Sequence, residues 1–420
     1  LGSLSNRNQN KKIMIIIKTF KLGGGAERIA SLIATYLQKS GYCVICVPYL
    51  DVANKYPLSC WEYSPLDISE PTKIFQKVAV IPLKMIKTAK IIRQKKPDLI
   101  LSFMEDANIA SLGGILLSGE KTKAIISTRT NYTMELSHSP YKLSSAVTDK
   151  LARHLYRFAS LMITPSKGVL LQIQDVFEGE IKGRVIENPV DVGGVVRLSE
   201  EEVDFSSDFI TVGRLTRAKA HWFLVRSFSE VVEHYPNATL AIIGDGELRW
   251  KLEELIKLLK LQDNVFLLGR QENPFKYVAR AKTFVFTSLW ESFGNVLMEA
   301  LALNKLVIST DCDFGPREIL APEVGVEEEI NYPYYGSYGI LTKPFPDVEI
   351  WDDRPLIEEE KMLAELMLKT LEEPKLRRKY SPRGLKRAQK NTPEKIIRKW
   401  EKTIEEIIGV NKRVRNKRDS

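Results

Sequence analysis

Apolar residues in this chain come mostly in short runs, and several of these are followed by stretches with helical spacing. Residues 12–17 read KIMIII; a glycine turn at 23–25 follows, then an apolar-periodic segment at 26–38. Further apolar runs fall at 42–49, 98–103, 123–127 and 161–165, and again at 208–212, 240–246, 264–269, 283–288 and 306–310. Short continuous apolar runs bounded by turns read as strands buried on both faces. Their alternation with helical segments predicts parallel sheets covered by helices, an α/β architecture.

At 420 residues the chain exceeds one ordinary core, so two domains of about 150–200 residues are expected. The boundaries are set at 11–192 and 205–391, with the acidic, irregular stretch 193–204 as linker. The opening LGSLSNRNQN is polar and is left out of the fold. A hydrophobic share of 44% and a charged share of 27% suit a globular protein. No apolar run reaches the roughly 20 residues of a spanning helix, and no export signal is read, so the expected compartment is the cytoplasm. Cys43 and Cys46 have CxxC spacing but lie in a strand-like run, where they face opposite sides. Without a second pair or a nearby His, they read as core residues rather than zinc ligands.

The stretch 283–303, TFVFTSLWESFGNVLMEALAL, carries the densest chemistry. A strand leads through a turn into a helix beginning near Gly294. The first N–H groups of such a helix, with its dipole, attract an anion such as phosphate. Glu291 precedes the helix and Glu299 follows eight residues later, about two turns on. Carboxylates there can accept bonds from sugar and ribose hydroxyls; the alternative is an ordinary turn with two solvated glutamates. Arg214 and Lys219 follow the strand ending at 212 and offer a fork and a point charge to a diphosphate.

This stretch resembles the E-x7-E motif of family 4 of the retaining glycosyltransferases. GGGAER at 23–28, NPVD at 188–191, VGRLTRAK at 212–219, GDGELR at 244–249, FLLGR at 266–270 and GPREIL at 315–320 agree with that family in order. The resemblance implies the GT-B fold, two Rossmann-like domains facing across a cleft, the first completed by a C-terminal helix at 392–410. It implies catalytic roles for Glu291, Arg214 and Lys219. Donor contacts are implied for Gly24, Gly25, Arg270, Ser292, Phe293, Gly294, Asn295 and Glu299. Where many relatives place a His, this chain has Arg129, which suggests a cation facing an anionic acceptor or donor. The family's usual Gly after the Lys is Ala220 here.

The implied activity is transfer of a hexose or N-acetylhexosamine, N-acetylgalactosamine or a related sugar, from a UDP-sugar to a glycan acceptor. A polyprenyl-diphosphate-linked acceptor is expected, because relatives of this subgroup build lipid-linked oligosaccharides and surface polysaccharides. Neither a metal nor another cofactor is expected; Asp311-Cys312-Asp313 spells DxD but reads as part of a sugar-facing loop. Two other readings stand beside this one: a nucleotide-sugar 2-epimerase of the same fold, and a non-catalytic nucleotide-sugar-binding protein.

The net charge of +9 admits nucleic acid or an anionic membrane as partner. No aromatics are interleaved with the basic stretches as a base-stacking platform would need, so nucleic acid is not expected. Residues 72–96, TKIFQKVAVIPLKMIKTAKIIRQKK, read as a basic amphipathic helix. Lys73, Lys77, Lys84 and Lys87 share one face and would meet the acceptor's diphosphate or the inner face of the cell membrane, making the enzyme peripheral. Pro82 would kink or restart that helix. Glu105 and Asp106 would begin a helix or line the acceptor side, and 323–338 reads as an inserted loop.

Overall fold

The computed structural model describes residues 11–22, 24–69, 74–139 and 141–409. The chain divides into two compact units, residues 1–188 with 393–420 and residues 189–392.

The first unit is built on seven parallel strands: β1 (Lys12–Ile17), β2 (Cys43–Pro48), β3 (Glu62–Tyr63), β4 (Leu99–Phe103), β5 (Lys123–Ser127), β6 (Leu161–Thr164) and β7 (Gly183–Val185). Their order across the sheet is β3-β2-β1-β4-β5-β6-β7. Alternation along β1 divides its side chains between two cores. Ile13, Ile15 and Ile17 pack with Ile29 and Ile33 of the Gly25–Lys39 helix and with Ile396, Trp400 and Ile404 of the Pro393–Ile408 helix. Met14 and Ile16 face the other way, toward Ile91 and Ile92 of the Ile74–Lys95 helix and Ala107 and Ala110 of the Glu105–Ser118 helix. Burial on both faces is why these strands read as unbroken apolar runs. The last helix of the chain is thus part of the first unit's core, pinned by an Arg184–Glu406 ion pair at 2.8 Å. Cys46 is wholly buried, and all four cysteines are free thiols.

The second unit holds β8 (Ser207–Val212), β9 (Leu240–Ile243), β10 (Val265–Gly269), β11 (Ala281–Phe286), β12 (Leu306–Thr310), β13 (Tyr334–Tyr335) and β14 (Ile340–Thr342). The order is β10-β9-β8-β11-β12-β14-β13, parallel except for the antiparallel β13–β14 pair. Both units are therefore doubly wound, with the switch between β1 and β4 in one and between β8 and β11 in the other. Such switch points leave a crevice at the strands' carboxyl ends.

Three expectations need correction. The stretch taken as linker contains a helix, Val192–Ser199, started by the Asp191 carboxylate accepting from the Gly194 N–H at 2.9 Å. Val195 is buried in the second unit's core, so apolar packing outweighs the helix cost of the two glycines. The inserted loop is not wholly irregular, since it contributes β13. Pro82 lies inside one continuous helix, on a solvent-exposed face.

Candidate active site

The loops after β8 and β11 meet at the second unit's switch point. Lys219 ends a 3-10 turn, Arg217–Lys219, that follows β8. Glu291 lies in the loop between β11 and the Asn295–Ala302 helix. The Lys219 ammonium and the Glu291 carboxylate form an ion pair, both largely shielded from solvent. Ser288 donates its hydroxyl to Glu291 Oε1 at 3.2 Å, and Lys219 Nζ stands 5.3 Å from the Phe286 ring centroid. Backbone bonds fix this geometry: Leu289 N–H donates to Ala218 O at 2.8 Å, and the Thr287 hydroxyl to Lys219 O at 3.1 Å. The turn at Arg217 is anchored in turn by ion pairs to Asp347 and Glu349, each at 2.8 Å.

Glycines let the loops approach. Gly244, after β9, packs so closely on the carbonyl of Gly213 that a side chain there would collide with it. Gly315, after β12, has φ +95° and lies equally close against the Phe293 backbone. Gly294 caps the Asn295–Ala302 helix with φ +93°. Ala220 also adopts a left-handed conformation, φ +47°, which glycine reaches at lower cost. This is the position where the family's usual residue is Gly.

Arg214 is exposed on the same β8 loop, and Ser292, Asn295 and Glu299 are half-buried on and beside the helix that Gly294 starts. Phe293 is buried and serves as packing beneath the turn. Arg270 stands apart from these, exposed just past edge strand β10, two strands from β8. These two loops thus bring an exposed guanidinium, a shielded Lys–Glu pair and a glycine-capped helix start to one switch point. That arrangement can hold an anionic leaving group beside a carboxylate that orients hydroxyls.

Ser288 was not singled out in the sequence; a Ser three residues before a glutamate carries no signal without the fold. The DxD carboxylates have separate surroundings. Asp311 is buried and accepts from Arg317 and from the Tyr332 hydroxyl, at 2.6 Å for the latter. Asp313 is exposed at the edge of its turn; partial desolvation of its carboxyl and the nearby Asp311 charge raise its pKa.

In the first unit, Gly24 precedes the Gly25–Lys39 helix at the β1 end of the switch point, and Gly23 lies outside the described residues. A side chain at Gly24 would collide with the Glu27 carboxylate, which folds back over it. The positive end of this helix is therefore already met by the chain's own carboxylate, and a diphosphate at Gly24 and Gly25 would have to displace it. Across the switch point, Met104 has φ +76°, and Glu105 begins the Glu105–Ser118 helix. Thr130 donates to Glu105 Oε1 at 3.4 Å, and desolvation pushes the Glu105 carboxyl up to about 7.

Of the cations proposed for an acceptor or membrane face, the three described ones, Arg129, Lys84 and Lys87, are engaged by the protein itself. Arg129 is buried, with its guanidinium 5.8 Å from the Phe103 ring centroid and 5.5 Å from that of Trp400, and it donates to Asn188 Oδ1 at 2.7 Å. Burial lowers its pKa to about 9. Lys84 forms an ion pair with Asp106 and lies 4.9 Å from the Tyr49 ring centroid. Lys87 donates to the carbonyls of Leu66 at 2.7 Å and Asp67 at 3.4 Å. Lys73 and the Lys77 side chain lie outside the described residues. The face of this helix open to solvent carries Leu83, 44% exposed, and Ile86, 59% exposed, with exposed Lys90 between them around the helix. Periodicity did not separate a lysine face from a buried apolar face: Lys84 is buried, as are Ile81, Ile91 and Ile92, while Ile86 is exposed, because the neighbouring helix supplied a carboxylate to Lys84 and the loop at 66–67 supplied carbonyls to Lys87.

Two doubly wound units of this construction are the Rossmann-like domains of the GT-B fold. Comparison with known proteins agrees. The model of Glycosyltransferase Family 4 matches residues 23–193, and that of Glycosyl transferases group 1 matches residues 199–331. An uncharacterized glycosyltransferase of Methanocaldococcus jannaschii is 44% identical over 348 residues, covering 78% of this chain and 85% of its own. The Campylobacter jejuni N-acetylgalactosamine-N,N'-diacetylbacillosaminyl-diphospho-undecaprenol 4-alpha-N-acetylgalactosaminyltransferase is 27% identical, covering 90% and 96%. Among solved structures, sucrose-phosphate synthase from Thermosynechococcus elongatus superposes with a TM-score of 0.73 at 16% identity, covering 96% of this chain and all of that one. Anabaena HepE in complex with UDP superposes with a TM-score of 0.67 at 19% identity, covering 94% and 100%. The chain belongs to glycosyltransferase family 4.

Proposed function

We propose that this enzyme is a retaining, metal-independent transferase that takes a hexose or N-acetylhexosamine from a UDP-sugar to a lipid-diphosphate-linked glycan. N-acetylgalactosamine or a close relative is the favoured sugar. The observation that carries this reading is the Lys219–Glu291 pair at the β8/β11 switch point, with exposed Arg214 on the β8 loop and a helix starting at Gly294 after the β11 loop. Arg214 and Lys219 would offset charge on the departing diphosphate, the work a metal does in other transferases. Glu291 would orient the sugar and Glu299 the ribose. In a front-face route the sugar–phosphate bond breaks while the acceptor oxygen bonds to the same face of the anomeric carbon. The acceptor's proton passes to the leaving phosphate. The Campylobacter relative, whose name gives N-acetylgalactosamine transfer to a diphospho-undecaprenol glycan, supports the sugar and acceptor class. HepE bound to UDP supports the nucleotide.

The test is a panel of nucleotide sugars scored by thermal protection and then by transfer, with and without EDTA. A ligand at about 100 times its dissociation constant stabilises by about 2.7 kcal/mol. Protection by UDP-sugars and transfer insensitive to EDTA support the proposal; restoration by Mn²⁺ after loss in EDTA sinks its metal-free part. An isomerised free sugar would favour the epimerase reading, and binding without turnover the non-catalytic one.

The proposal includes work at the cytoplasmic face of a membrane. Among the described residues no helix is long and apolar enough to cross one. The Lys142–Leu155 helix offers a surface contact: Leu143, 61% exposed, Val147 and Leu151 recur at four-residue spacing, and Phe158, 50% exposed, lies just beyond. Lys150, Arg153 and Arg157 flank that stripe. A partly exposed apolar stripe edged by cations suits an anionic bilayer.

A further inference from the structure

Arg317 occupies an unusual position for a residue with no direct place in the sugar-transfer chemistry. It sits in the short Pro316–Leu320 helix, with a side chain only 15% exposed, and its hydrogen bonds run in two directions. Inward, Nε and a terminal nitrogen grip the Asp311 carboxylate at 3.0 and 2.5 Å, and Asp311 extends the end of β12 by donating its N–H to Thr342 O. Outward, the other terminal nitrogen donates to the carbonyls of Gly325, Val326 and Glu328 at 3.1, 3.3 and 2.5 Å. Tyr332 closes the ring, its hydroxyl donating to Asp311 at 2.6 Å. A guanidinium has five N–H donors in a rigid fork, and this site uses that geometry where an ammonium could not.

The clasp spans residues 311–317, and the turn inside it is what touches Glu291. The Glu291 N–H donates to Asp313 O at 2.5 Å, and the Phe314 N–H donates back to Glu291 O at 3.2 Å. Gly315 lies hard against the Phe293 backbone. The backbone of Glu291 is therefore held on one side by the β8 loop, through Leu289, and on the other by a turn whose two ends are tied together by Arg317 and Asp311.

We propose that Arg317 is a positioning residue: through the Asp311 clasp it holds the 313–315 turn, and with it Glu291, in the geometry needed for sugar transfer. The segment 325–332, whose purpose the sequence left open, is the outer brace of that clasp. Glu299, the proposed ribose contact, lies four residues into the Asn295–Ala302 helix, beyond the segment 291–293 whose backbone the turn touches. This rests on the transferase reading for its kinetic consequence but not for its structural one.

The experiment uses Arg317→Gln, Arg317→Ala, Arg317→Lys and Tyr332→Phe in the full chain. Hydrogen exchange at the Glu291 amide reads the clasp without any substrate. Protection should fall at least tenfold in Arg317→Gln and less in Tyr332→Phe. In steady-state transfer, Arg317→Gln should lower kcat at least tenfold while the UDP dissociation constant moves less than twofold. Arg317→Lys should behave like Gln, since charge alone does not replace the fork, and guanidinium ion should restore part of the activity of Arg317→Ala. If Glu291 stays protected in soluble Arg317→Gln, or if kcat and UDP affinity fall together in step with melting temperature and guanidinium restores nothing, the positioning role is wrong. If the wild type transfers no sugar from the panel, the transferase reading fails while the exchange result still decides the clasp. Tyr332→Phe, which removes one hydrogen bond, keeps the question open to disproof should the Arg317 variants not fold.

Discussion

Lys219 and Glu291 reach each other from the loops of adjacent parallel strands, β8 and β11, and form a shielded ion pair at the point where the strand order reverses. Breaking a shielded pair by removing one partner leaves the other uncompensated. Here that pair coincides with the proposed site for the leaving group and sugar. Donor binding must therefore redistribute these two charges rather than simply add to them.

Replacement of Lys219 by Ala should cost about 2–4 kcal/mol of transition-state stabilisation, the range seen for preorganised charge stabilisers. Glu291→Gln should mainly lower kcat. Because the residues touch, the double variant should be less impaired than the sum of the two singles. Steady-state kinetics on all three checks this, and strict additivity would show that the pair does not act as a unit.

Glu299→Ala should behave differently. Its carboxylate lies farther along the Asn295–Ala302 helix, half-buried, and would hold the ribose in ground and transition states alike. Loss of uniform binding raises KM and leaves kcat unchanged. Calorimetric titration with UDP should show the weakened affinity directly; unchanged UDP affinity would remove Glu299 from the site.

His221, next to the site, gives a pH prediction. It is buried, its Nδ1 has no hydrogen-bond partner among the described residues, and burial with Lys219 nearby lowers its pKa to about 3. The unfolded chain takes up this proton near pH 6.5 and the folded chain does not. Its contribution to stability is therefore complete above pH 6.5 and is lost as pH falls toward 3. The slope is at most about 1.4 kcal/mol per pH unit. The unfolding free energy of wild type minus that of His221→Gln should fall across pH 6.5 to 4, and a flat difference would contradict the assignment.

The membrane contact separates two helices. Leu143→Glu with Leu151→Glu should reduce sedimentation with anionic liposomes, because both add charge to a partly exposed apolar stripe. Lys84→Gln should leave liposome binding at the wild-type level and lower the melting temperature instead, since Lys84 is engaged with Asp106 and Tyr49. Liposome binding lost in Lys84→Gln and kept in the leucine variant would reverse the assignment.

The sequence by itself determined the α/β class, because strands buried on both faces must be continuously apolar and the helices between them must show one apolar stripe. It also placed Arg214, Lys219 and the Glu291–Glu299 turn, because a strand–loop–helix unit keeps its chemistry within a few residues. What it could not determine were pairings between segments far apart in the chain. Whether Lys84 faced water depended on Asp106, and whether Arg129 faced a ligand depended on Phe103, Asn188 and Trp400. The seven-residue clasp of Asp311 and Arg317 was visible only as a DxD and a GPREIL, since its meaning lies in the carbonyls of 325–328 that the guanidinium reaches. Periodicity gives a side chain's direction about its own helix axis. Only the packed neighbours decide which direction is inward, because desolvating a cation is tolerated where partners replace its water.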